Sequence, residues 1–169
     1  MAEKLSLRDY QRDLAERLRA AETTRSSSKL ALQVGEEGWL IDLADAGEVI
    51  PVPPITSVPL TRPWFKGVAN IRGNLYSVVD FPAFLGGGAV TVSEQSRLLL
   101  VGERFRMASA LLVDRSLGLR NPEQLTPRQG SGNGARPWLK AEFSDEEGRA
   151  WKELDVAQLV QHPDFLGVG

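Results

Sequence analysis

Cysteine is absent from this 169-residue chain, and histidine occurs once. Without cysteine there are no disulfides, thiolate nucleophiles, Cys-ligated zinc sites or iron–sulfur clusters. The lone His162 lies in a Gln-His-Pro context near the C-terminus, where an imidazole reads as a surface residue rather than a general base. A metal site would have to be built from carboxylates alone, and no acidic cluster has the spacing of a calcium loop. Charge of one sign is scarce as well. The formal net charge of -2 gives no drive toward nucleic acid or an anionic membrane. No basic stripe interleaves with aromatic residues. No apolar run approaches the roughly 20 residues of a membrane span. The opening Met-Ala-Glu-Lys-Leu-Ser-Leu-Arg lacks the apolar centre of a signal peptide, so the expected location is cytoplasmic.

The remaining candidates for chemistry are equally thin. Gly86-Gly87-Gly88 lacks the Lys-Ser/Thr of a phosphate loop and falls at a helix end, which makes it a linker. Asp80 and Asp155 read as helix caps rather than an acid–base pair. Asp145-Glu146-Glu147 reads as a solvated turn, and Trp39, Trp64, Trp138 and Trp151 as core or rim. The expectation is a protein with no catalytic residue, no metal and no cofactor.

What is there is patterning. Leu7, Tyr10, Leu14, Leu18 and Ala21 recur at spacings of three and four, which predicts a helix over residues 6–22 with Ser6 as N-cap. That helix either packs on its own domain or docks on a partner. Thr23 to Ser28 then form a polar linker. From Lys29 the period becomes two. Leu30, Leu32 and Val34, then Trp39, Ile41 and Leu43, make a hairpin around Gly35-Glu36-Glu37-Gly38. Further strands are expected at 98–101, 107–114, 137–143 and 149–155. A short helix should follow Asp80 and another should span 156–161, with a long exposed loop over 121–136. Val34-Gly35-Glu36 is echoed by Val101-Gly102-Glu103, and Val79-Asp80-Phe81 by Leu154-Asp155-Val156, in the same order. These echoes predict a helical extension at 1–28, then two similarly built β subdomains within 29–166, divided near residues 86–96.

The densest signal lies at residues 51–85. Its second half reads as a hairpin, Val68–Arg72 against Leu75–Asp80, turning at Gly73-Asn74. That register sets Arg72 opposite Leu75 and Asn70 opposite Ser77, and leaves Ala69, Ile71, Tyr76 and Val78 as a core face. The run Pro54-Ile55, Val58-Pro59, Gly67-Val68-Ala69-Asn70-Ile71-Arg72-Gly73 and Ser77-Val78-Val79-Asp80-Phe81 resembles the CheW-like adaptor family of bacterial chemosensory arrays. Ile71 stands where that family has Leu, and Ser77 where it has Pro.

The resemblance implies a mainly β fold of two small five-stranded β-barrels, with short helices. It also implies a non-enzymatic scaffold. Such a protein would couple the cytoplasmic tip of a methyl-accepting chemoreceptor to the regulatory domain of a CheA-type histidine kinase. The N-terminal helix is similar to extensions on the branch that serves type IV pilus twitching motility. By resemblance, Arg72, Ala46 and Glu48 are partner-binding positions, with Asn70 beside them and Leu43 and Val49 as groove walls. From the residues alone, Arg72 is either an interface arginine or half of an ion pair fixing the hairpin tip. Asn70 is either a contact or a local hydrogen-bonding residue. Two other functions stay open: a ligand-binding β-barrel domain, and a competitor that binds the kinase without engaging receptors.

Overall fold

Short apolar runs separated by turn residues fold into strands, central ones such as Arg97–Val101 and Ser109–Val113 being buried on both faces, and there are eleven in all. In the computed structural model, which describes residues 7–129 and 136–168, these are β1 (Lys29–Val34), β2 (Glu37–Asp42), β3 (Ala46–Pro51), β4 (Phe65–Ile71), β5 (Asn74–Asp80), β6 (Arg97–Val101), β7 (Ser109–Val113), β8 (Arg115–Arg120), β9 (Thr126–Arg128), β10 (Leu139–Ser144) and β11 (Ala150–Leu154). The helices are α1 (Leu7–Ser27), α2 (Phe81–Phe84), α3 (Val156–Gln161) and α4 (Pro163–Leu166). The expected Ser6 cap and the glycine-rich run at 130–135 lie outside the described residues, as does the Ala21 side chain.

Two sheets result. The first runs β8-β1-β2-β11-β10-β9 and the second β3-β6-β7-β5-β4. The architecture is mainly β with two sheets, as expected, but they are six- and five-stranded and their ladders are not closed into barrels. The second sheet comes nearest to closure. The chain beyond β3 crosses to β4, where Thr56 and Val68 exchange backbone hydrogen bonds of 2.8 and 2.9 Å. Gly67 makes that crossing possible. Its φ is +135°, and a Cβ there would sit 2.0 Å from the Thr56 carbonyl oxygen.

The two halves of the chain are interlocked. Hairpin β1–β2 belongs to the first sheet, yet β3, β4 and β5 belong to the second. Hairpin β6–β7 sits inside the second sheet, between β3 and β5, and β8 to β11 return to the first. Each sheet thus combines the opening hairpin of one half with the later strands of the other. The joins are equivalent: β5 runs parallel to β7, and β11 parallel to β2. Residues 86–96 run from α2, after β5, to β6, and so link two strands of the same sheet.

The sequence echoes have counterparts here. Asp80 accepts from Ala83 N at 3.1 Å and Asp155 from Gln158 N at 3.1 Å, so each caps the helix after a parallel-paired strand.

Both faces of each sheet are buried. Between the sheets lies a shared core of Leu30, Leu32, Trp39 and Ile41 from one side and Val79, Phe81, Leu99, Val101, Leu111 and Val113 from the other, sealed by Val156, Leu159 and Phe165. Trp39 meets Phe81 edge-on with ring centres 5.4 Å apart. The outer face of the second sheet carries Ala69, Ile71, Val78, Leu98, Leu100, Ala110 and Leu112. That of the first carries Ala31, Leu40, Leu125 and Trp151.

Two expectations change. The helix continues through the polar residues 23–27, and its described side chains, those of residues 7–19, lie in solvent rather than against the domain. The long loop at 121–136 contains a 3-10 turn at Pro122–Gln124 and the edge strand β9, where Pro127 is tolerated because β9 pairs on one side alone.

One buried ion network holds the first sheet at its junction with α1. Lys29 Nζ donates to Asp42 at 2.6 Å and to Glu153 at 2.7 Å, and the Glu153 side chain is 4% exposed. Burial opposes the charge on Lys29, but the two carboxylates outweigh it and raise its pKa. Burial likewise opposes the charge on Asp42, and the Lys29 bond overcomes it and holds the carboxyl below its usual value. Stability from Asp42 is therefore complete above its unfolded pKa of about 4 and is lost as pH falls through the lower folded value. Stability from Lys29 is complete below about 10.4 and is lost as pH rises through the higher folded value.

Lys29→Met leaves the buried Glu153 only the half-exposed Lys140, whose Nζ stands 3.8 Å away. It is expected to lower unfolding free energy by about 3 kcal/mol at neutral pH, measured by urea denaturation. Adding Glu153→Leu should return most of that loss. Leu60 holds a φ of +62° while 97% exposed, at the third position of a Val58-Pro59-Leu60-Thr61 turn where Gly or Asn is favoured. Leu60→Asn should raise stability by about 0.5–1 kcal/mol in the same assay.

Candidate functional site

The hairpin that carries the motif turns one residue earlier than its Gly-Asn dipeptide suggests. Ile71 pairs with Asn74, Asn70 with Leu75 and Val68 with Ser77, so the turn residues are Arg72 and Gly73. Both have positive φ, +53° and +85°. This is the backbone of a type I′ turn, whose twist matches that of paired strands. The Asn70 side chain explains how an arginine is held there: its Oδ1 accepts from Gly73 N at 2.9 Å. The pairing differs from expectation by two residues, an even number, so the core face survives. Ala69, Ile71 and Val78 are buried and Tyr76 packs against them.

The turn projects Arg72 beyond the sheet, where Glu48 of β3 meets it. Arg72 Nη2 donates to Glu48 Oε1 at 2.5 Å, with the arginine side chain 70% exposed and the glutamate 42%. Although β3 and β4 are opposite edges of the second sheet, this pair joins them at one end. Glu48 is aimed by a bulge in β3, where Ala46 pairs with Val101 and the register shifts before Val49. Beneath the pair lies a cavity of about 280 Å3 whose apolar walls are Ile71, Tyr76, Leu100 and Val101. Leu75, beside the turn, is 62% exposed.

The six positions expected to bind partners therefore divide. Arg72, Glu48 and Asn70 come together at the hairpin tip. Ala46 and Val49 are partly buried and pack toward the shared core. Leu43 is half-buried where the chain passes between sheets, its N–H bonded to Ser28 O at 3.2 Å. Sequence reading did not single out Leu75 or the cavity walls, although the alternation placing Ile71 and Tyr76 on one face pointed to the latter. In the link from β2 to β3, Asp45 pairs with Arg104 at 2.5 Å. Burial pushes the Asp45 carboxyl up, against the pull of that arginine.

The residues examined for chemistry serve the fold. His162 Nδ1 accepts from Asp164 N at 3.1 Å and so caps α4, and its ring stands edge-on to Trp138. Asp80 is fully buried and also accepts from Val90 N at 2.8 Å. Among the described residues no group of three or more His, Asp or Glu side chains is placed to hold a metal ion. None of the described helices is long and apolar enough to cross a membrane.

This chain and this pair of sheets have known counterparts. Residues 29–164 match the CheW-like domain family. The chain belongs to that family. It is 31% identical over 153 residues to protein PilI of Pseudomonas aeruginosa, covering 87% of this chain and 83% of that protein. It is 29% identical over 100 residues to chemotaxis protein CheW of Thermotoga maritima, covering 59% of this chain and 64% of that one. The scaffolding protein TtCheW of Thermoanaerobacter tengcongensis superposes with a TM-score of 0.67 at 19% identity, covering 82% of this chain and 95% of its own, which is a likeness of fold.

Substituting Gly67 tests the crossing that shapes this site. Gly67→Ala drives a methyl group into the Thr56 carbonyl from a backbone only glycine adopts easily. It should cost 3 kcal/mol or more, roughly the upper end for overpacking, seen as a lowered urea midpoint.

Proposed function

We propose that this CheW-like protein is a non-enzymatic cytoplasmic adaptor. It links the cytoplasmic tip of a methyl-accepting chemoreceptor to the regulatory domain of a CheA-type histidine kinase, in a pathway governing type IV pilus twitching motility. The observation that carries the reading is the exposed Arg72, presented on a rigid turn with Leu75 beside it. Arginine is among the residues enriched at interface hot spots, and its planar guanidinium suits bidentate contacts. Glu48 holds the guanidinium in one orientation before any partner arrives, which lowers the ordering cost of binding. The likeness to PilI over most of the chain favours the pilus branch.

The mechanism is geometric. An adaptor that holds two partners at once makes the second contact effectively intramolecular, so receptor state can bias kinase state without phosphate passing through the adaptor. A competitor that binds the kinase without engaging receptors has one sequence hint, Ala46 standing where the resembled family has a bulkier residue. That side chain packs inward, so its size bears on packing rather than on partner contact.

The test is capture of partners from the cell that makes the protein, identified by mass spectrometry. A receptor and a histidine kinase should both be recovered. Arg72→Glu should weaken capture of at least one by about 30-fold, the equivalent of 2 kcal/mol, while tryptophan fluorescence stays unchanged. Unaltered binding by the folded variant would remove Arg72 from the interface. Recovery of the kinase alone would favour the competitor, and recovery of neither would refute the adaptor.

A further inference from the structure

Leu60 is the most exposed large apolar side chain among the described residues, at 97%, and it holds a φ of +62°. A bulky apolar residue in the left-handed region is strained, and here it gains no packing within its own chain in return. We propose that Leu60 is a docking anchor. It plugs an apolar pocket rimmed by a carboxylate on the second of the adaptor's two partners, the one that the Arg72 turn does not hold. The proposal rests on the adaptor reading above.

Three features carry it. The first is rigidity. Pro59 and Pro63 bracket Leu60. Thr61 Oγ1 donates to the Val58 carbonyl at 2.8 Å, Phe65 N to that of Arg62 at 3.0 Å, and Arg62 N to that of Val168 at 2.8 Å. The loop therefore presents Leu60 in one place before a partner arrives, so little ordering is left for binding to impose. Strain persists where the surroundings enforce it, and it gathers in segments that hold ligands.

The second feature is charge. Arg62 is exposed, two residues beyond Leu60, and its guanidinium makes no ion pair among the described residues. It also borders a cavity of about 230 Å3 with Trp64, Phe84 and Trp138 in its walls. A projecting leucine beside an unpaired arginine is complementary to an apolar pocket with a carboxylate at its edge.

The third is placement. Thr56 pairs antiparallel with Val68, so the chain beyond it runs toward the Phe65 end of β4 and turns there. Arg72 follows Ile71 at the other end. Leu60 and Arg72 thus project from opposite ends of a seven-residue strand, about 20 Å apart. A protein that holds two partners at once needs two such surfaces.

Leu60→Asn separates binding from folding, because it removes the anchor and relieves the strain together. In the full chain it should raise the urea midpoint. It should also weaken binding of one purified partner, the receptor's cytoplasmic fragment or the kinase's regulatory domain, at least tenfold. Arg62→Glu should weaken the same partner, and Arg72→Glu the other. A Leu60→Asn protein that binds both partners as the parent does overturns the anchor and leaves the adaptor reading standing. Loss of one and the same partner through Leu60→Asn and Arg72→Glu overturns the division between the two ends. If the unaltered chain binds neither partner, the adaptor reading falls and the anchor with it.

Discussion

The structure depends on the apolar layer between its two sheets. Trp39 and Ile41 on one side, and Phe81, Val79 and Leu111 on the other, exclude water from a core that neither sheet could form alone. Each sheet is itself a composite, because its central hairpin comes from the other half of the chain. Burial of the layer and assembly of the sheets are thus one event. The polar anchors lie around this layer: Lys29 with Asp42 and Glu153 at one junction, Asp45 with Arg104 in the link from β2 to β3, Arg72 with Glu48 at the far edge.

That arrangement also gives the proposed docking surface at the hairpin tip a firm base. A two-residue turn is a poor platform unless its ends are held. Here β4 and β5 are bound along their length, Asn70 closes the loop internally, and Glu48 fixes the arginine from the opposite edge. The interior supplies rigidity and the tip supplies chemistry. The motif divides the same way: Gly67 admits the crossing chain, Asn70 shapes the turn, Gly73 completes it, and Arg72 carries its one charge outward.

Much of this was legible in the sequence, and the failures have physical causes. Side-chain alternation assigned Ile71, Tyr76 and Val78 to the core because facing is a local property with period two. The hairpin register was displaced because Gly73-Asn74 is a strong turn signal, while the chain uses the weaker Arg72-Gly73 with support from Asn70, three residues from the bond it makes. Strand β9 was hidden by Pro127 and by its polar surroundings. The exchange of hairpins leaves no local trace, since it depends on pairings such as Ser77 with Ser109 between distant segments. The Arg72–Glu48 pair spans 24 residues with no intervening pattern, and family resemblance alone pointed to both ends. The stripe on α1 was plain, but an amphipathic helix carries the same stripe whether it packs at home or elsewhere.

The exchange of hairpins bears on how the chain divides. Cut between residues 86 and 96, it would yield two pieces of similar plan, each holding the hairpin that its counterpart needs and lacking the one it needs itself. Neither piece could complete a sheet, and together they could complete both. The internal symmetry is therefore one of mutual completion, each half supplying the hairpin around which the other builds its sheet.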